Sequence, residues 1–454
     1  MKTVCIIGGG FSGSLTAIQL LAISNNVQVK LLNDGHPLIR GIAYSTAADE
    51  HLLNVPAGRM SAFPDQPAHF TAWLRSKPEY RSYITETLDT EFIPRMMYGA
   101  YLQELMNAHS TNERLEIIAA KAISVDEKNE GYQITLNTGQ TISANALVLA
   151  MGNFLPAAPK IVNRAVFEHV RYFKSPWNNA YLKDLSDDET VLLIGTGLTM
   201  VDCVLSLKKI KFKGKIIAVS PRGYIPASHA KAAVYSDFYT EIKDEPLLEI
   251  FKAVRKHLKT AANAGLPWQL VIDSIRPYAQ AIWTGLSKKE KQQFTSHLRH
   301  IWGVARHRLP ENIFNTIMDA VKSGQLQVIG GRIAAMDEAG TSFRVSIKPR
   351  KEQSLQPLGV SRIVNCTGPQ INYAELNDPF VKSLLSNSLI YPDALKMGIA
   401  AAQNGQVLNG EGNPVKNVYA LGSLLRGVLW ETTAVPEIRR QAENVARQIS
   451  ESMN

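Results

Sequence analysis

The chain has 454 residues, 45% of them hydrophobic and 20% charged, the balance of a protein with large buried cores rather than a disordered or fibrous one. Its net charge of +9 is spread without a dense Lys/Arg block, which argues against nucleic-acid binding and suits anionic small molecules. No apolar run reaches the ~20 residues of a membrane span, and Val4–Ile7 behind Met-Lys-Thr is too short for a signal peptide, so a cytoplasmic protein without a membrane partner is expected.

Val4-Cys-Ile-Ile-Gly-Gly-Gly-Phe-Ser-Gly13 reads as an apolar strand entering a G-x-G-x-x-G turn, followed by a helical pattern over Ser14–Ile23 and a strand over Val27–Leu32. Each glycine has a task in this setting. Gly8 permits the tight turn, Gly10 lets a pyrophosphate approach the backbone, and Gly13 lets the helix lie close to the sheet. The helix N-terminus, at Phe11 and Ser12, offers N–H donors and a positive dipole end. An acidic residue about 20 positions on would grip a ribose. Here the strand ends Leu32-Asn33-Asp34, so either Asn33 serves as a neutral partner or Asp34 serves with a one-residue offset.

Leu115–Val125, Tyr132–Leu136 and Thr141–Leu149 read as a strand meander closing on Ala-Met-Gly152. Pro- and Asp-rich stretches at 156–160 and 184–189 suit crossings between domains. Val191-Leu-Leu-Ile-Gly-Thr-Gly-Leu-Thr-Met200 then repeats the strand-and-glycine device, with Gly195, Gly197, Leu198 and Thr199 at the turn and Asp202 on a helix over Val201–Lys209. The next strand, Ile216–Val219, runs into Ser220-Pro-Arg222. A cation at Arg222 suits a 2′-phosphate, so NADPH is expected over NADH.

Residues 226–325 are rich in helix formers, carry Trp268, Trp283 and Trp302, and read as a helical insertion. Within them His297 and His300 can share a helix face, near Arg299, Arg306, His307 and Arg308. Without clustered carboxylates or cysteines this reads as a solvated basic face or a lining for NADPH phosphates, and no metal is expected. Leu326–Ile333, Ser342–Ile347 and Arg362–Asn365 repeat the meander and end in Cys-Thr-Gly368, and Val435–Ser452 reads as a closing amphipathic helix. Cys5, Cys203 and Cys366 stand far apart in sequence, so neither a disulfide framework nor a redox or zinc pair is expected. No nucleophile-elbow sequence supports hydrolysis.

The fold class that follows is α/β, with two dinucleotide-binding Rossmann-like domains, β-meanders and the helical insertion. The expected division is 1–160 with 360–454 for FAD, 185–225 with 326–359 for NAD(P)H, and 226–325 as the insertion shaping a substrate region.

Four segments carry a resemblance. Arg40-Gly-Ile-Ala-Tyr-Ser-Thr46, His51-Leu-Leu-Asn-Val-Pro-Ala-Gly-Arg-Met-Ser-Ala-Phe-Pro-Asp65, Ile194–Asp202 and Leu424–Glu437 resemble the bacterial FAD/NAD(P)-binding proteins related to N-hydroxylating flavin monooxygenases, a likeness over nearly the whole chain. The Leu32-Asn33 ending departs from that family's usual acidic residue. The resemblance implies a glutathione-reductase-like arrangement with FAD in the first domain, touching Arg40, Tyr44, Asn54, Val55, Met60, Ser61, Gly152, Gly422, Thr432 and Thr433 beside the first glycine turn. Asn54–Ser61 mixes amide, backbone and small residues suited to edging a flat polar ring; turn chemistry would use Asn54 and Ser61 equally well. Thr432-Thr433-Ala434 precedes the closing helix, whose N-terminus would stabilise reduced flavin, and ordinary capping would use the same threonines.

Two dinucleotide sites on one chain suit hydride transfer from NADPH to FAD. The want of a cysteine pair argues against thioredoxin-reductase chemistry. The resemblance implies O2 as the acceptor and a flavin C4a-hydroperoxide that oxygenates a soft nucleophile such as an amine nitrogen of a small-molecule substrate. Asn54, Arg59 and Met60 are the candidates at the flavin face. Arg426, Trp430 and Glu431 are candidate substrate contacts, with Trp430 either stacked on a ring or filling the core. Two competing readings are an NADPH-dependent reductase or oxidase passing electrons to a quinone or partner protein, and an RNA-associated flavoprotein.

Overall fold

The computed structural model describes residues 1–230 and 233–453. It divides into unit 1, Met1–Asn153 with Ala279–Lys291 and Ile371–Asn454, and unit 2, Phe154–Tyr278 with Gln292–Gln370.

Unit 1 begins with β1 (Lys2–Ile7), β2 (Val27–Leu32), β3 (Leu115–Ile118), β4 (Ala122–Lys128), β5 (Gly131–Leu136), β6 (Thr141–Ala144) and β7 (Ala146–Leu149). β1 lies between β2 and β7, parallel to both. Val4–Ile7 of β1 are all buried, as befits a parallel strand covered on both faces. The first helix, Phe11–Ile23, carries Leu15 and Ile18 into the same core as Val445 and Ile449 of the closing helix, Val435–Met453.

The meander expected in this half is two structures instead. Leu115–Ile118 pairs with β2 in the parallel sheet, whereas β4, β5 and β6 form a separate antiparallel sheet. Thr141–Leu149 is likewise broken at Asn145. Its N–H donates to the Thr3 carbonyl at 2.7 Å, and its side-chain oxygen accepts from the Thr3 N–H at 2.9 Å. This hands the chain from one sheet to the other, which alternation of apolar residues cannot reveal.

Unit 2 contains β8 (Tyr172–Phe173), β9 (Thr190–Ile194), β10 (Lys215–Ser220), β11 (Leu326–Ala339), β12 (Ser342–Pro349), β13 (Gln356–Val360) and β14 (Arg362–Asn365), in the sheet order β13-β12-β11-β10-β9-β14-β8. β11 serves two ladders. Leu326–Gly330 runs parallel to β10, and Gly331–Ala339 runs antiparallel to β12. The change falls at Gly330-Gly331, where a Cβ on Gly331 would lie 2.8 Å from the Lys348 carbonyl oxygen. The chain returns to unit 1 with β15 (Gln406–Leu408) and β16 (Pro414–Ala420), completing the order β15-β16-β7-β1-β2-β3.

Residues 239–322 are helical apart from short connections, with a π-helical turn at Phe294–Leu298. They do not belong to a single body: Ala279–Lys291 packs into unit 1. There the Trp283 indole donates to the Gly427 carbonyl at 3.1 Å, and Gln280 donates to the Glu431 carbonyl. Among the described residues no helix is long and apolar enough to cross a membrane.

Candidate functional site

The two glycine turns are built alike, one in each unit. Gly8 has φ +113° and Gly195 has φ +115°, conformations that residues with a Cβ rarely adopt. The Gly8 N–H donates to the Leu32 carbonyl at the end of β2, and the Gly195 N–H to the Val219 carbonyl on β10. An added Cβ would lie 2.3 Å from the Ala150 carbonyl oxygen at Gly8, and 2.6 Å from the Cys366 carbonyl oxygen at Gly195. The strand pairs behind the turns also match, since Ala150 N–H donates to Ile7 and Cys366 N–H to Ile194.

In unit 1 the helix after the turn starts at Phe11 with Gly10 as its extended N-cap, and no side chain caps it. Its first-turn N–H groups are the donors a phosphate uses. Gly13 is compelled by the backbone, because a Cβ there would lie 2.0 Å from the Gly8 carbonyl oxygen. Gly41 comes up against the turn from the other side, 3.6 Å from the Gly10 Cα measured from the Cβ it lacks. The Ile39 N–H holds this loop in place by donating to the Gly9 carbonyl at 2.7 Å.

The structure separates Asn33 from Asp34. The Asn33 side chain lies over the turn, where a Cβ on Gly9 would come within 2.7 Å of the Asn33 Cβ, and its amide donates to the His36 carbonyl. Asp34 is exposed, with its carboxylate 3.6 Å from His36 Nε2.

The C-terminal segment meets the same turn. Gly422, at φ +72°, would place a Cβ 3.2 Å from Ser12 Oγ. Its N–H donates to Gln441 Oε1 at 2.7 Å, and its carbonyl accepts from Thr432 Oγ1 at 2.9 Å. Gln441 Nε2 closes the set on Thr432 Oγ1, and Ser423 donates to the Gly152 carbonyl at 2.6 Å. Ser12, Gly152, Gly422 and Thr432 are thereby brought together, while Thr433 is exposed.

The 54–61 loop is pinned by Leu53 N–H to the Ile93 carbonyl and Ala57 N–H to the Glu91 carbonyl. Asn54 is half-buried and Arg59 exposed, whereas Val55 and Met60 are core residues at 3% and 2% exposure. Ser61 does turn work, its hydroxyl bridging the N–H and carbonyl of Phe63 at 3.1 Å each. Arg59 and Met60 thus present opposite environments, one in solvent and one in the core.

Among the described residues, the buried polar atoms Arg40 Nε, Tyr98 Oη, Glu437 Oε2 and Arg439 Nε, all in unit 1, have no hydrogen-bond partner. Tyr98 is fully buried, its hydroxyl pushed up by desolvation, and it packs edge-on to Tyr44 at 4.7 Å; Tyr44 in turn meets Phe11 at 5.9 Å. Of these four residues the sequence pointed to Arg40 alone. Orphaned donors and a carboxylate beside a glycine turn fit the phosphates and hydroxyls of a dinucleotide.

Arg426, Trp430 and Glu431 share one tight turn. Trp430 has φ +62°, rare for a bulky residue. The Arg426 guanidinium lies 5.8 Å from its ring, and Trp283 packs against it at 4.9 Å. Trp430 therefore packs on another side chain. A cavity of about 310 Å3 adjoins the turn at Gly427 and Val428, lined also by Lys291, Asp393 and Gln403.

In unit 2 Gly197 is the exposed, uncapped N-cap of the helix Leu198–Lys209, with Leu198 and Thr199 half-buried in its first turn. Thr196 Oγ1 lies 2.8 Å from Ser220 Oγ and donates to the Tyr224 carbonyl, tying the turn to the loop that holds Arg222. Arg222 is half-buried; burial, then the charges of Arg299 and Arg222, lowers the His300 imidazole below its ordinary value. Asp202 is buried at 8% exposure on the helix face toward Cys366.

Two expectations are corrected here. Cys203 and Cys366, distant in sequence, stand with sulfurs 3.6 Å apart. Both are buried, so neither sulfur is accessible for exchange, and burial pushes the Cys366 thiol well up. The basic run is not simply a solvated face: Arg306 and Arg308 are 4% and 1% exposed, while His297 is exposed.

Comparison with known proteins agrees with this architecture. Residues 5–154 match an FAD-NAD(P)-binding family model. A nitrosuccinic acid synthase of Aspergillus oryzae (strain ATCC 42149 / RIB 40) is 26% identical over 221 residues, covering 44% of this chain and 34% of that protein. The match thus spans about a third of that relative's length. An ornithine N-hydroxylase of Kutzneria sp. 744, solved with reduced FAD, NADP+ and L-ornithine, superposes with a TM-score of 0.69 over 99% of both chains at 13% identity. An L-lysine 6-monooxygenase of Pseudomonas syringae gives 0.69 over 100% of both at 14% identity. The chain has the fold of the N-hydroxylating flavin monooxygenases from end to end.

Proposed function

We propose that this chain, which opens with an FAD-NAD(P)-binding domain and carries a second glycine turn of the same build, is an FAD-dependent monooxygenase. It is reduced by NADPH and uses O2 to hydroxylate the nitrogen of a small-molecule amine. The observation that carries the reading is the duplicated turn at Gly8 and Gly195, inside a fold shared over its full length with amine N-hydroxylases. Unit 1 is the FAD unit and unit 2 the nicotinamide unit. Bound FAD supplies hydride acceptance and oxygen transfer.

The chain's own groups do the rest. First-turn N–H groups at Phe11–Gly13 and the Arg40 guanidinium hold phosphate charge, and Asn33 takes the ribose place with a neutral amide. Glu437 and Tyr98 pair with hydroxyls through atoms that no protein group satisfies. Asn54 edges the ring from its loop. Arg222 selects the 2′-phosphate of NADPH. Arg426, Trp430 and Glu431 form a preset turn that orients the amine substrate. The enzyme works in the cytoplasm without nucleic-acid or membrane partners. The buried state of Cys203 and Cys366 speaks against a dithiol-exchange reductase.

The test is a coupled assay of purified FAD-loaded protein with NADPH, air and a panel of amines that includes ornithine, lysine and cadaverine. An amine that yields its hydroxylamine with matching NADPH consumption supports the reading. NADPH oxidation that produces only hydrogen peroxide, with every amine unchanged, refutes it.

A further inference from the structure

Part of the basic run Arg299–Arg308 lies inside unit 2, and its environment suits a ligand. Arg308 heads the largest fully buried side chains among the described residues, at 1% exposure. Its Nη2 donates to Asp273 Oδ1, while Nε and Nη1 have no hydrogen-bond partner. Asp273 is a stretched counter-ion. Its side chain is 42% exposed, and Arg276 Nη1 reaches the same oxygen at 4.0 Å.

The surrounding backbone is fixed. The His229 N–H donates to the Leu309 carbonyl at 2.9 Å, the Leu309 N–H to Ala227 at 2.8 Å, and Gln269 holds the Ser228 carbonyl at 3.3 Å. Burial, then the charge of Arg308, pushes the His229 imidazole down to about 4; Asp273 opposes, and Arg276 and Arg306 add to the depression. At neutral pH His229 is therefore an uncharged neighbour among the cationic side chains of Arg308, Arg276 and Arg306. A guanidinium keeps its charge at every working pH, and burying it with two idle donors is costly until an acceptor arrives.

We propose that Arg308, with Arg306 two residues before it, forms a buried site in unit 2 for a small oxyanion, a carboxylate or a phosphate group. Nε and Nη1 of Arg308 are its donors, and Asp273 is the internal competitor that a ligand displaces or joins. The proposal concerns unit 2 alone and does not depend on the flavin reading.

The experiment is thermal unfolding and calorimetric titration of the full chain at constant ionic strength, with inorganic phosphate, succinate, NADP+ and NAD+ as probes. At least one of phosphate, succinate or NADP+ is expected to raise the wild-type midpoint by about 3 °C or more at saturation. Arg308→Met removes that rise, and Asp273→Asn binds the same probe about 10-fold tighter because the competing charge is gone. A response to NADP+ alone, absent with NAD+, identifies a nucleotide phosphate as the source. A response to succinate or phosphate that persists with NADP+ bound identifies a separate small molecule. The proposal is overturned if no probe shifts the wild type, if Arg308→Met responds equally, or if Asp273→Asn loses stability without gaining affinity. Should Arg308→Met fail to fold, Arg308→Lys, with its charge kept and its donor geometry lost, must weaken the same probe while Asp273→Asn strengthens it.

Discussion

Replacing Gly8 with Ala tests the first turn most sharply. At φ +113° a Cβ brings backbone strain of about 1–3 kcal/mol. The new methyl would lie 2.3 Å from the Ala150 carbonyl oxygen, 1.1 Å inside the 3.4 Å of ordinary contact (3.4 minus 2.3), and that oxygen is fixed between β1 and the chain leaving β7. Relieving the overlap shifts the turn away from the helix N-terminus, at a total cost of roughly 3–4 kcal/mol. If the loss falls on ligand binding, it weakens FAD by roughly 100- to 1,000-fold. Flavin content after purification, FAD titration by fluorescence quenching and the unfolding midpoint together read the effect. Gly195→Ala is the matched control. Its strain is the same in kind, but the contact is with Cys366 in unit 2, so it should retain FAD and raise the KM for NADPH instead. A Gly8→Ala protein that folds normally and binds stoichiometric FAD would refute the reasoning, as would Gly195→Ala losing flavin and leaving the NADPH KM unchanged.

Other expectations follow from single contacts. Asn33→Ala should weaken FAD about 2- to 10-fold, the worth of one neutral hydrogen bond, whereas Asp34→Ala should change the Kd less than twofold. Tyr98→Phe should leave the ligand-free midpoint unchanged or raised, because it deletes an unpartnered buried hydroxyl, yet weaken FAD measurably in the same titration. Arg222→Ala should raise the NADPH KM about tenfold or more and leave the NADH KM nearly constant, as steady-state kinetics with both cofactors will read. His229 is held near 4 against an ordinary 6.5, so between those values the unfolded chain binds the extra proton. That share of stability is complete above pH 6.5 and is lost as pH falls toward 4; His229→Gln should flatten the slope of the unfolding midpoint across that window.

What could be read from the sequence follows from how local each constraint is. Gly8 and Gly195 were legible because a positive φ at a strand-to-helix turn admits little else, and the turn, helix and next strand lie within about 30 residues. Gly41 and Gln441 were not, because each bears on that turn from outside this span through contacts that only the fold creates, Gln441 by way of Gly422. The cysteine pair was missed for the same reason: Cys203 on a helix and Cys366 after β14 meet only because β9 and β14 are neighbours. The run holding Arg306 and Arg308 reads in sequence as a solvated basic face or a lining for NADPH phosphates, and the burial of these two arginines excludes the first for them and carries the oxyanion proposal. The meanders were harder still. Alternating apolar residues announce strands, but Asn145 and Gly330-Gly331 decide which partner each strand takes.

The proposed function requires that NADPH bound by one glycine turn reduce FAD held by the other. Anaerobic addition of NADPH to the FAD-loaded chain, followed by flavin absorbance in a stopped-flow instrument, tests it directly. Complete bleaching of the yellow chromophore by NADPH, markedly slower bleaching by NADH, and slowed reduction in Gly195→Ala at unchanged flavin content are expected. A chain that stays colourless when supplied with FAD, or a bound flavin that NADPH leaves oxidised, would contradict it.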